Sequence, residues 1–181
     1  MSRATTPADD LSWVLPDLAL GGRLADGAPA RFAREHGIRR VVDLRVEACD
    51  DAELLRAHGI ELLHLPTRDL CAVAPEMLDR GVAWVNRQLE GGERVYVHCE
   101  HGIGRSALLV CCVLVSRGHL PRSALDLTKA GRAKVCPNPE QLHALLDWAA
   151  SHHARSGRPP APDTWDDLAG VAYRGLPGHE G

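Results

Sequence analysis

Apolar runs alternate along the chain with segments that stop at glycine, and the alternation predicts two kinds of element. From Ala28 to His36 the pattern is helical and ends at Gly37, after which Val41-Val42-Asp43-Leu44 reads as a buried strand. The order repeats: a helix near Asp50–His58 ends at Gly59, and Leu62-Leu63-His64-Leu65 follows. Helices closed by glycine and then strands are the mark of parallel βαβ units, so the chain reads as α/β. His-Gly-Ile occurs at 36–38 and again at 58–60, and shared helix-stop chemistry explains the echo without an internal repeat. From Pro75, the apolar positions Leu78, Val82, Val85 and Leu89 share one helical face. Gly91-Gly92 breaks that helix, and Arg94–His98 is the next strand. Ala107 to Val115 is a nine-residue apolar block, too short for a bilayer and expected as a buried helix. Pro121 opens a further helix that Gly131 closes. Asn138-Pro139 with Gln141 predicts a capped start for the last one, with Leu142, Leu145, Leu146 and Ala149 as its apolar stripe. Residues 11–155 therefore read as one domain, and 156–181 as a proline-rich linker and tail. Trp165, Leu168 and Tyr173 in the tail leave two readings open, docked on the domain or free of it.

Composition narrows the setting. At 181 residues and 45% hydrophobic, the chain has room for one domain with a proper core. A net charge of −3 gives no electrostatic reason to expect nucleic acid or an anionic membrane as partner. The opening residues MSRATTPADD hold no apolar signal region, and a reduced cytoplasm is the expected setting for the six cysteines. No disulfide framework is expected, and neither is a metal site, because the ten histidines show no convincing zinc spacing.

The chemistry concentrates at residues 98–106, His-Cys-Glu-His-Gly-Ile-Gly-Arg-Ser, between the strand ending at His98 and the apolar block. A short loop at a helix N-terminus turns its backbone N–H groups toward one point, where the helix dipole adds positive charge. Such a nest suits a phosphate oxyanion. Gly102 and Gly104 supply the backbone freedom, and Arg105 adds a planar fork of donors for two phosphate oxygens. Cys99 faces the same positive field, which favours the thiolate and makes it a nucleophile for phosphoryl transfer.

Strand, loop, helix and this set of residues resemble the signature loop of the cysteine-dependent protein tyrosine phosphatase superfamily. The nearest pattern is that of its compact dual-specificity-like members, and the likeness runs from about Leu11 to about His153. It implies a three-layer αβα fold with a central, mostly parallel sheet. It also implies a metal-independent, two-step hydrolysis of phosphomonoesters through a cysteinyl-phosphate, with no cofactor. Residues Glu100, His101, Gly102, Ile103, Gly104 and Arg105 would form the phosphate cradle. By analogy, His98 would hold the backbone around Cys99, and Ser106 would help the sulfur leave when the phosphoenzyme is hydrolysed; a buried histidine and a helix cap are the bland readings of the same two residues.

The leaving oxygen needs a proton donor. Asp69, in Leu65-Pro66-Thr67-Arg68-Asp69, lies on a loop after a strand and thirty positions before Cys99. In dual-specificity-like relatives the acid is similarly placed; a plain surface aspartate is the alternative. Asp43, inside its strand, competes less well and suits a structural role. Gln141 and Asn138 lie where relatives carry a water-orienting segment, though helix capping explains them equally well. Low-pKa Cys99 is open to oxidation, and Cys49 or Cys71 could trap it as a disulfide.

Substrate class follows from the variable loop positions Glu100, His101 and Ile103. Lysines there favour inositol lipids or sugars in relatives; this loop has none, and Glu100 disfavours a heavily phosphorylated head group. His101 is similar to a position in RNA 5′-triphosphatases, but those have basic surroundings. The leading expectation is a monomeric phosphatase of phosphotyrosine and phosphoserine/threonine in proteins, or of a small phosphomonoester, with neither nucleic acid nor membrane as partner. An RNA 5′-phosphate or phosphoinositide phosphatase is the alternative. Two other classes remain: a rhodanese-like or Cdc25-like enzyme, which lacks an upstream acid, and a catalytically silent phosphopeptide-binding module.

Overall fold

The computed structural model describes residues 9–176. Five strands and seven helices follow in the order β1 (Leu11–Leu15), β2 (Leu18–Gly21), α1 (Ala28–Glu35), β3 (Ile38–Arg45), α2 (Ala52–Ala57), β4 (Glu61–Thr67), α3 (Pro75–Glu90), β5 (Arg94–His98), α4 (Arg105–Ser116), α5 (Pro121–Gly131), α6 (Pro139–Arg155) and α7 (Trp165–Ala172). The strands form one sheet in the order β1-β2-β5-β3-β4. Only the β1–β2 pair is antiparallel; β2–β5, β5–β3 and β3–β4 are parallel, as the βαβ reading requires. This is the expected three-layer αβα fold.

Successive residues of a strand face opposite sides, and the two hydrophobic clusters divide accordingly. Ala19, Val41 and Tyr96 join Phe32 of α1 and Leu55 of α2 on one face. Their neighbours Leu18, Leu20, Val42, Val95 and Val97 join α3 to α7 on the other. The apolar block becomes α4, buried from Arg105 through Val115 because the sheet, α3, α5 and α6 surround it. A helix so enclosed needs no polar face, which is why its sequence shows none.

Two parts of the fold escaped the hydrophobic pattern. The β1–β2 hairpin went unread, since strands of five and four residues are too short for a clear period. In the tail, Thr164 and Asp167 form a capping box, and α7 buries Leu168, Val171 and Ala172 in the main core. Of the two readings left open for the tail, the docked one holds over Trp165–Ala172. Among the described residues, no helix is long and apolar enough to cross a membrane.

Candidate active site

Strand β5 lies between β2 and β3, so its C-terminal end opens at the middle of the sheet edge. Residues 99–104 leave it and turn at once into α4. A loop whose N–H groups point inward must turn its carbonyls outward, and each buried carbonyl then needs a donor. The accounting closes here. The Glu100 carbonyl accepts from Arg23 N–H, and that of Ile103 from Cys136 N–H. Those of His101 and Gly102 accept from the Arg132 guanidinium at 3.0 and 2.9 Å. The N–H groups of His101, Ile103, Gly104 and Arg105 find no acceptor among the described residues, which leaves them for an anion. Gly102 sits at φ +66°, and a Cβ there would fall 2.4 Å from the Gly21 backbone, so no other residue closes this loop without displacing β2.

Cys99 is 3% exposed at the floor of the nest. The Gly102 N–H donates to its sulfur at 3.3 Å, and the Ser106 hydroxyl lies 3.5 Å away. Burial alone would push the thiol up; hydrogen bonds from the Ser106 hydroxyl and the Ser106 and Gly102 amides, with the charge of Arg105, outweigh it and hold the thiol below its usual value. His98 is buried with its ring between Asp50 Oδ2 at 2.8 Å and the Cys99 carbonyl at 3.3 Å, stacked on Tyr96.

Arg105, 1% exposed, reaches the same pocket from the first turn of α4. Nη1 donates to Glu47 at 2.9 Å and to the Thr67 carbonyl at 2.7 Å; Nη2 donates to Glu47 at 2.7 Å and meets Asp69 at 3.0 Å. Its Nε–H is buried and has no partner among the described residues. An unsatisfied buried donor on a cation is costly, and a phosphate oxygen is the partner that geometry and charge both suit. Glu47 fixes the fork. Hydrogen bonds from Arg105 hold its carboxyl at about 2, well under its ordinary 4.5.

Asp43 and Asp69 prove to be placed very differently. Asp43 is fully buried and accepts from Arg45 N–H, from the Arg45 guanidinium through both oxygens, and from Asp50 N–H. Arg45 continues to Asp50 at 2.7 Å and to Glu100 at 3.4 Å, and Glu100 pairs outward with Arg23 at 3.3 Å. The Glu100 side chain thus braces the loop from outside, and only its backbone belongs to the cradle. Asp43, Cys49 and His64, and Asp43, Asp50 and His98, come close enough to share an ion. In both groups Arg45 already pairs with Asp43 at 2.9 Å, which meets the charge of the carboxylate without an ion. Asp69, by contrast, is 58% exposed at the pocket mouth, within 3.0 Å of Arg105.

The loop carrying Asp69 is tied to the start of α6. Asn138 Nδ2 donates to the Leu70 carbonyl at 2.5 Å, Glu140 accepts from Ala72 N–H at 2.8 Å, and Gln141 Nε2 donates to the Cys71 carbonyl at 3.1 Å. Asn138 and Gln141 also complete the predicted capping box. The Gln141 amide donates to Cys71, accepts from Asn138 N–H at 3.0 Å and lies against Gly104, where a Cβ would meet its Oε1 at 2.4 Å. Capping and loop anchoring are therefore the roles its contacts describe. Cys49 is exposed, with its thiol pushed up by burial and by Asp43 and Asp50, so it is a poor source of thiolate.

The structure brings Cys99, Arg105, Ser106, His98, Gly102, Gly104 and Asp69 to one pocket, with His101 and Ile103 supplying backbone. Sequence reading missed Glu47, Asp50, Arg45 and Arg132. Each is a charged residue in an unremarkable local context, and only its distant partner gives it meaning.

The family model for the dual specificity phosphatase catalytic domain matches residues 24–151. The rat phosphatidylglycerophosphatase and protein-tyrosine phosphatase 1 is 28% identical over 136 residues, covering 71% of this chain and 70% of that protein. An Arabidopsis thaliana phosphatidylglycerophosphate phosphatase, PTPMT1, is 29% identical over 119 residues, covering 64% of this chain. The chain spans only 35% of that Arabidopsis protein's length. Among solved structures, PTPMT1 in complex with PI(5)P superposes with a TM-score of 0.77 at 24% identity, covering 82% of this chain and 99% of that one.

Proposed function

The chain belongs to the dual-specificity phosphatase family and is a phosphatase, and from that premise we propose that it hydrolyses phosphomonoesters through a covalent intermediate on Cys99, without a metal. The observation that carries the reading is the buried, unpartnered Arg105 Nε–H beside a thiol held below its usual value, with free loop N–H groups around both. In the first step the Cys99 thiolate attacks phosphorus in line. The S–P bond forms as the ester P–O bond breaks, while Arg105 and the loop amides stabilise the spreading charge. Asp69 gives its proton to the departing oxygen. In the second step water attacks phosphorus, its proton returns to the Asp69 carboxylate, and Ser106 donates to the sulfur as it leaves.

The substrate carries a single phosphate monoester. Glu47 and Asp69 stand at the Arg105 guanidinium and the loop has no lysine, so each further phosphate would meet like charge. Phosphorylated protein side chains satisfy this requirement and are the first reading. A second is favoured by the relatives: two are named for phosphatidylglycerophosphate, which also ends in one phosphate monoester, and the rat protein is named for both activities.

Hydrolysis of p-nitrophenyl phosphate near pH 6 with chelator present tests the chemistry. Turnover by wild type that disappears in Cys99→Ser is expected; a folded, reduced wild type without turnover would withdraw the reading. Phosphotyrosine and phosphothreonine peptides set against phosphatidylglycerophosphate in mixed micelles then separate the two substrate classes by kcat/KM.

A further inference from the structure

Arg132 lies at the C-terminal end of α5, twenty-seven positions after Arg105, and is 5% exposed on the far side of the phosphate loop from the pocket. Each of its three nitrogens has an acceptor. Nε donates to the Gly102 carbonyl at 2.9 Å and Nη2 to the His101 carbonyl at 3.0 Å. Nη1 reaches the Ser12 hydroxyl at 3.2 Å, and Nη2 also pairs with Asp10 at 2.8 Å.

The His101 carbonyl and the Gly102 N–H belong to one peptide unit. Its oxygen is held by Arg132, and its N–H donates to the Cys99 sulfur at 3.3 Å. A peptide is planar, so a clamp on the oxygen fixes where the N–H points. A cation on the oxygen also polarises the unit and strengthens the bond its N–H makes to an anion. Holding the next carbonyl as well, Arg132 fixes two consecutive peptide planes, the geometry that aims successive amides at one point.

We infer that Arg132 is a positioning residue for the nucleophile: from behind the loop it holds the 101–102 peptide so that its N–H stays directed at the Cys99 sulfur. Asp10 is its counter-ion and β1 its platform, which makes the N-terminal hairpin part of the site's support. The charged and titratable groups around the thiol are Arg105 on α4 with its partners Glu47 and Asp69, Tyr96 and His98 on β5 with Asp50, Glu100 and His101 in the loop itself, and Arg132 with Asp10 and Lys134 behind it. Among the described residues, Arg105 stands in front of the loop and Arg132 behind it, while the Arg45 and Arg23 side chains meet it at the Glu100 carboxylate.

The inference rests on Cys99 being the nucleophile, but its test reads thiol chemistry and not turnover. The rate of Cys99 alkylation by iodoacetamide is followed between about pH 5 and 9 by peptide-resolved mass spectrometry, which separates Cys99 from Cys49, Cys71 and Cys136. Wild type is compared with Arg132→Gln, Arg132→Lys and Asp10→Asn, each checked for folding by circular dichroism and thermal melting. The midpoint rises by about one pH unit in Arg132→Gln, with alkylation near pH 6 about tenfold slower. Arg132→Lys, whose single ammonium replaces the fork, recovers part of the shift. Asp10→Asn, which leaves both carbonyl bonds in place, stays within about 0.3 unit of wild type. A folded Arg132→Gln with the wild-type midpoint overturns the inference, and so does an equal shift in Arg132→Gln and Asp10→Asn, which would reduce Arg132 to an ion pair. If glutamine at 132 does not support folding, Arg132→Lys decides: a folded lysine variant with an unshifted midpoint overturns the inference as well. Wild type that alkylates at low pH but turns over no phosphomonoester would sink the phosphatase reading and leave this one standing.

Discussion

Arg105 carries more of this site than any other side chain, because its guanidinium is divided between protein partners and substrate. Two nitrogens are committed to Glu47, Thr67 and Asp69, and the third is left for the substrate. Glu47 holds the fork in plane, and its folded value of about 2 lies below its ordinary 4.5 because it accepts from Arg105. A carboxyl depressed in this way contributes stability that is present above pH 4.5 and is lost as pH falls from there toward 2. Wild type should therefore melt above Glu47→Gln at neutral pH, and the gap in Tm should narrow through that acid window; a constant gap would detach Glu47 from the linkage. Asp69 is tested through the leaving group. Asp69→Asn should lower kcat by about 10²–10⁴ on an alkyl phosphate, where the departing alkoxide needs a proton, and by less on p-nitrophenyl phosphate. Equal losses on both substrates would mean that Asp69 acts in binding. A retained fold with lost activity would also set the chain apart from cysteine-loop enzymes that need no upstream acid.

The start of α6 joins two functions that usually belong to separate elements. Its Asn138 accepts from Gln141 N–H as a helix cap and donates to the Leu70 carbonyl in the acid loop. Leu70 is held at φ +63° with 72% of its surface exposed, a strained and unfavourable placement for leucine. The anchor from Asn138 offsets that strain and sets Asp69 one residue away. Asn138→Ala should lose about 0.5–2 kcal/mol from the cap, read by denaturant midpoint. It should also lower kcat more than it changes KM, because the acid loop keeps only its Ala72 and Cys71 ties to α6 and holds Asp69 less firmly; a stability loss with unchanged kcat would separate the cap from the acid loop. Asn138-Pro139-x-Gln141 was legible as a cap from sequence, since capping is local chemistry. Its bond to Leu70, 68 positions away, was not.

The αβα frame brings five distant segments to one end of β5, and the tail closes the frame on its helical side. Helix α7 packs on α5 and α6 and places Leu168 and Val171 in the main core. Removing residues 156–181 uncovers those contacts, and a fully buried aliphatic side chain contributes about 1.5–3 kcal/mol. The truncated chain should melt well below the full one and expose dye-binding apolar surface. An unchanged Tm would show that α5 and α6 do not depend on α7. Since α5 also ends at Arg132, a loosened α5 should reach the phosphate loop, with alkylation of Cys99 shifting to higher pH in the truncated protein.

Period, glycine stops and caps act over a few residues, so α1 to α6, strands β3 to β5 and the loop at 98–106 could be read from the chain itself. The spacing of Cys99, Gly102, Gly104, Arg105 and Ser106 is likewise local, because strand, loop and helix are contiguous there. What lies outside that range was decided by packing. The hairpin β1–β2 takes its identity from β5 beside it, α7 from the core it covers, and Glu47, Asp50, Arg45 and Arg132 from partners 58, 48, 55 and 122 positions away. A buried charge is tolerated only with its partner in place. No single segment of the sequence contains both members of those pairs, and only the folded chain does.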